Sequence, residues 1–177
     1  MNKNDSARYY LIKVERIFRN TDDLNSLSIT LSNLGQVELS KGKSELAEKI
    51  FLESIRLFRI LNSKEEWVSA LKNISVTFLS TQSYDSALAA SLESYTIAST
   101  NGSLLRKKEA LGQVTKSYEM LKAYDKAYFY SLKLMIVSDS LILSAEDDIE
   151  IVGSANSVRE TYERLLMSNS NRKVSQY

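Results

Sequence analysis

The chain contains no cysteine, no histidine and no proline in 177 residues. Without cysteine there is no disulfide framework, no thiol nucleophile and no thiolate ligand, and the redox compartment is left open. Without histidine the commonest general base and the commonest transition-metal ligand are both missing. Without proline nothing in the chain removes a backbone donor or wedges a helix open, which favours long uninterrupted helices. Glycine is scarce at five residues, and two of the five, Gly42 and Gly102, fall where helices are expected to end.

Charge of one sign is lacking as well. Lysine plus arginine number 23 against 22 for aspartate plus glutamate, a net charge of +1. That argues against direct nucleic-acid binding, which needs a basic face. No apolar run approaches the ~20 residues of a membrane helix. The N-terminal stretch Met1-Asn2-Lys3-Asn4-Asp5-Ser6 lacks the charged-then-apolar pattern of a signal peptide. The hydrophobic share of 44% and charged share of 25% suit an ordinary soluble globular chain. As supplied the chain reads as cytoplasmic, with the periplasm as the alternative if a signal peptide has been removed.

What is present is a repeat. Ala7, Ala47, Ala87 and Ala127 are spaced 40 residues apart. Each sits in a related context: Asp5-Ser6-Ala7, Glu45-Leu46-Ala47, Asp85-Ser86-Ala87 and Asp125-Lys126-Ala127. Self-similarity at a fixed period of this size marks stacked supersecondary units.

Residues 5–20 carry Ala7, Leu11, Val14 and Phe18 on one helical face. Their phase makes this the second helix of a hairpin whose first helix is missing, a half-repeat. Asn20-Thr21-Asp22-Asp23 supplies stop and N-cap chemistry. Three units follow, at about 24–61, 64–100 and 104–140. In the first, Leu27, Leu31, Leu34 and Val37 or Glu38 mark one inner face, Gly42 ends the helix, and Ala47, Ile50, Phe51, Ile55 and Phe58 line the next. Ser63-Lys64-Glu65-Glu66 reads as a capping box. Trp67, Leu71, Ile74 and Phe78, then Ala87, Leu88, Ser91, Tyr95 and Ile97, repeat the plan. Asn101-Gly102-Ser103 stops one helix and restarts another. Leu111, Val114 and Tyr118, then Ala127, Tyr128, Leu132 and Leu134, fill the third unit. Ser144-Ala145-Glu146-Asp147 reads as a further N-terminus. It opens a capping helix over about 145–167, ahead of a disordered tail at 168–177.

Aligned on Ala47, Ala87 and Ala127, the units resemble tetratricopeptide repeats, a helix–turn–helix family with small residues at the helix crossing. Leu31, Leu34, Gly35, Ala47, Phe51 and Ser54 carry the likeness in the first unit, with Glu38 in place of an aromatic. Leu71, Ile74, Ser75, Phe78, Ala87 and Ser94 carry it in the second. Leu111, Val114, Thr115, Tyr118 and Ala127 carry it in the third, where Leu134 is larger than the pattern expects. Small side chains let the two helices of a hairpin approach without overpacking. The family period is about 34 residues, which implies connections between units about six residues longer here. The family's proline after the second helix is replaced by Arg59, Ser99 and Asp139. The lengthened form is similar to arrays on the N-terminal side of bacterial sensor kinases and transcriptional regulators.

The resemblance implies one all-α domain over 1–167, a right-handed superhelix of helix-turn-helix repeats with a C-terminal capping helix. Its first helices would line a concave groove that binds a peptide or partner helix. It places Asn33 and Gln36, Lys72, Asn73 and Val76, and Gln113 and Lys116 in that groove. Ser32, Glu109 and Glu119 lie beside them, and Ile29, Leu39, Leu79 and Met120 add apolar surface. The family's carboxylate clamp falls on Ser32, Gln36, Glu109 and Gln113, so the clamp is absent and a chaperone C-terminal peptide is not the expected ligand. Asn33 and Asn73 each carry an amide able to donate to and accept from a peptide backbone at once.

Catalytic material is thin. Asp22-Asp23 and Glu146-Asp147-Asp148 with Glu150 sit at expected helix N-termini, where negative charge is stabilised anyway. No phosphate loop, nucleophile–base pair or metal-ligand spacing is present. The ten tyrosines, Tyr84 and Tyr124 at one repeat position among them, read as inter-helix packing. The expectation is a non-catalytic scaffold for a protein or peptide segment, without cofactor or metal. The alternative is the sensory part of a larger bacterial signalling protein, cut at the half-repeat and acting through self-association as a homodimer.

Overall fold

The computed structural model describes residues 3–101, 103–145, 160, 163 and 164. Gly102, the expected tail at 168–177 and nearly all of the expected capping helix fall outside the described residues. Seven α-helices and no strand are found among those described: α1 (Lys3–Asn20), α2 (Leu24–Ser40), α3 (Ser44–Leu61), α4 (Lys64–Ser80), α5 (Tyr84–Thr100), α6 (Leu104–Met120) and α7 (Tyr124–Ala145).

From α2 onward a helix begins every 20 residues. The alanine period is therefore a pair of equal helix-plus-turn segments. The turns share one backbone solution. Asp22, Gly42, Asn62, Gln82 and Lys122 have φ of 52°, 75°, 53°, 59° and 58°. The next N–H in each turn reaches back five residues, as Lys43 does to Glu38 O at 3.0 Å, Ser63 to Phe58 O at 3.0 Å and Ala123 to Tyr118 O at 2.9 Å. This left-handed close satisfies carbonyls that a helix end leaves unpaired. The next position in the series is Ile142, whose branched Cβ disfavours the left-handed region. There α7 does not turn but runs on to Ala145. The expected break near 140 and the expected helix start at Ser144 are thus corrected, since Ser144 and Ala145 are the last residues of α7.

Two further expectations change. The extra length of the repeat lies in helices of 17 or 18 residues and not in a longer connection, for only residues 62–63 separate α3 from α4. The capping box at Ser63 does not form, because Ser63 takes the N-cap position without a side-chain capping bond. Caps do form at Asp23, which accepts from the Ser26 N–H at 3.0 Å, and at Ser103, which accepts from that of Arg106 at 3.4 Å.

Each helix packs on its chain neighbours, α2 also packs on α4, and α4 on α6, whereas α1, α3, α5 and α7 do not pack backbone to backbone. The phased alanines Ala47, Ala87 and Ala127 are all 0% exposed, with Phe51, Phe58, Leu31, Ile74, Leu111 and Val114 buried among them. Buried hydroxyls tie the crossings. Ser54 Oγ donates to Ser28 O at 2.8 Å and, 40 residues on, Ser94 Oγ donates to Val68 O at 3.3 Å. Leu134 stands at the third such position and has no hydroxyl to offer.

Glu38 is the exception in the core. It occupies the position of Phe78 and Tyr118, yet its side chain is 1% exposed. Arg8 of α1 donates to one carboxylate oxygen, and Lys43 Nζ lies 3.6 Å from the other. A second ion pair, Lys41 with Asp5, also joins α1 to the end of α2. A buried carboxylate needs such partners, since removing it from water is costly.

Candidate functional site

The first helices α2 and α4 are close enough to share a cleft of about 180 Å³. Ile29, Ser32, Asn33 and Gln36 of α2 line one wall, and Glu65, Glu66, Ser69 and Asn73 of α4 the other, with Phe58 and Arg106 at its limits. Helical spacing explains the set: Ile29, Ser32, Asn33 and Gln36 recur at three and four residues and so share a face.

Three of the seven residues singled out from the sequence meet here: Asn33, Gln36 and Asn73. Among the described residues none of their side-chain amides is engaged, so each can both donate and accept. The other four lie apart from the cleft. Lys72 Nζ is 2.9 Å from Glu109 Oε1, and Arg106 Nη1 is 3.1 Å from Glu109 Oε2. The Lys72 ammonium is thus part of an α4–α6 bridge rather than a lone cation. Burial opposes ionisation of Glu109 most strongly. The hydrogen bonds from Lys72 and Arg106 outweigh it and hold the carboxyl below its usual range. Lys116 pairs within its own helix with Glu119 at 3.4 Å. Val76 is exposed on α4, and Gln113 is half-buried on α6.

Glu65, Glu66, Ser69 and Arg106 were missed by reading along the sequence. They belong to the first turns of α4 and α6, whereas the family pattern points to mid-helix positions. A signal existed: in a cleft between two parallel-running first helices, the first turn of one faces the middle of the other. Among the described residues no group of His, Cys, Asp and Glu is placed to hold a metal ion, and no helix is long and apolar enough to cross a membrane.

The fold and this cleft define the chain as an all-helical protein of repeat-like build. No family model matches it, and no curated protein matches it. Among solved structures it is similar to BtubC (BKLC) from P. vanneervenii, with a TM-score of 0.74 at 15% sequence identity. The match covers 86% of this chain and 63% of that one, so the chain spans less than two thirds of that protein's length. At that identity the likeness concerns the fold alone.

Proposed function

We propose that the chain is a non-catalytic scaffold built from tetratricopeptide-like repeats, with α2, α4 and α6 as the concave wall of a superhelix that holds an extended peptide or partner segment. The observation that carries this reading is the asymmetry of packing. The first helices touch one another, and the second helices are held apart. Such an array curves with its first helices inside, giving the extended concave surface that repeat proteins use for binding. The unengaged amides of Asn33, Gln36 and Asn73 on that side add support, because side-chain amides can hold a peptide main chain in register without demanding one sequence.

The test is selection of extended peptides from a displayed library on the whole chain. Asn33→Ala with Asn73→Ala is expected to weaken the selected peptides by about tenfold, roughly 1.4 kcal/mol, with helix content unchanged. Binders indifferent to both substitutions would remove the groove from this role.

A further inference from the structure

We propose a second, separate interaction surface: the outward face of α1 docks an acidic amphipathic helix of a partner protein, in the place a first helix takes beside each later second helix. By phase α1 is equivalent to α3, α5 and α7. Tyr10 corresponds to Ile50, Ala90 and Tyr130, and Ile17 to Leu57, Ile97 and Val137, so both positions are apolar four times over. In the later helices these side chains are covered. Ala90 and Val137 are 6% and 7% exposed, Ile97 packs against the core that includes Leu71 and Ile74 of α4, and Tyr130 stacks on Tyr118 of α6 at 5.4 Å. In α1 the same positions are bare, with Tyr10 at 65% and Ile17 at 55%. No residue of α1 is buried, and α2 is the one helix it packs against. A helical neighbour present three times is missing once.

The charge beside the bare stripe identifies what would cover it. Arg8, Arg19 and Asp5 are already paired with Glu38, with Glu15 and Glu53, and with Lys41. Lys13 lies 4.4 Å from the centre of the Tyr9 ring, and among the described residues neither Lys13 nor Arg16 meets a carboxylate. At the position of Lys13, α3 and α5 carry Glu53 and Glu93, which receive Arg19 and Arg59 of the preceding second helix, each at 2.8 Å. The sign is reversed in α1, so a helix laid there must bring carboxylates. A second copy of this face would set Lys13 and Arg16 against their own kind.

The probe is a synthetic amphipathic peptide of about 18 residues, leucines on one face and glutamates on its flanks, beside a twin with lysine flanks. Binding to the full chain is read by fluorescence anisotropy. The glutamate peptide is expected to bind about tenfold more tightly than its twin, and Lys13→Glu with Arg16→Glu to reverse that order. Tyr10→Ser with Ile17→Ser, both exposed, should weaken the glutamate peptide by about tenfold with helix content kept, and Asn33→Ala with Asn73→Ala should leave it unchanged. Equal affinity for the two peptides, or indifference to the α1 substitutions, overturns the proposal. So does a dimer of the chain that Tyr10→Ser with Ile17→Ser dissolves, since the occupant would then be a second copy.

Discussion

A Cβ placed on Gly35 would stand 2.7 Å from Cε1 of Phe51, a ring that is itself 0% exposed. The glycine is there because α2 and α3 cross at this point with an aromatic ring between them, not because the backbone needs freedom. Gly35→Ala should therefore destabilise the chain although alanine is the better helix former. Overpacking of order 1–3 kcal/mol exceeds the propensity gain of about 1 kcal/mol. A fall in the urea midpoint checks this, and a rise would mean that Phe51 has room to move.

The ion pair of Arg8 with the buried Glu38 holds α1 to the array. Arg8→Ala leaves that carboxylate with Lys43 alone, at 3.6 Å. Breaking a fully buried pair costs about 3–5 kcal/mol. Because Arg8 is 38% exposed and Lys43 remains, a smaller loss of about 2 kcal/mol is expected. Hydrogen exchange should quicken in α1 before it does in α4. Uniform protection in the variant would show that the pair does not hold α1.

Gln82 and Lys122 adopt φ of 59° and 58° at helix ends where Gly42 adopts 75°. Gln82→Gly and Lys122→Gly remove a Cβ from the left-handed region, worth about 1 kcal/mol each before the entropy of glycine is subtracted. A small rise in melting temperature is expected for both. The same change at Thr77, within α4 and 0% exposed, should lower it.

The repeat was legible because its marks are local: an alanine at each hairpin crossing, a polar or glycine residue at each turn, apolar residues at helical spacing. Glu38 shows where local reading stops. The sequence marks it only as an aromatic missing from the pattern, while its partner Arg8 lies 30 residues away and its burial is decided by packing. The cleft was half legible for the same reason. Asn33 and Asn73 follow from phase, whereas Glu65 and Arg106 enter through the spacing between helices. The run of α7 through 140–145 turned on Ile142, whose side chain rules out the turn that five earlier positions make.

Glu109 bridges Lys72 and Arg106, and its carboxyl is held below the glutamate reference of 4.5. A depressed carboxyl contributes stability that is full above the unfolded-state value and is lost as pH falls through the folded one. The urea midpoint of the parent chain should therefore exceed that of Glu109→Gln at about pH 7 and converge on it at about pH 3. A difference that does not change with pH would mean the bridge contributes through packing alone.

The most direct measurement is amide chemical-shift mapping of the isotope-labelled chain with a peptide selected on it. Shifts concentrated at Asn33, Gln36, Asn73 and the first turn of α4, spreading to α6, are the result expected of a groove formed by first helices. Shifts confined to α3, α5 and α7, with Asn33 and Asn73 unmoved, would contradict it and place binding on the opposite side of the array.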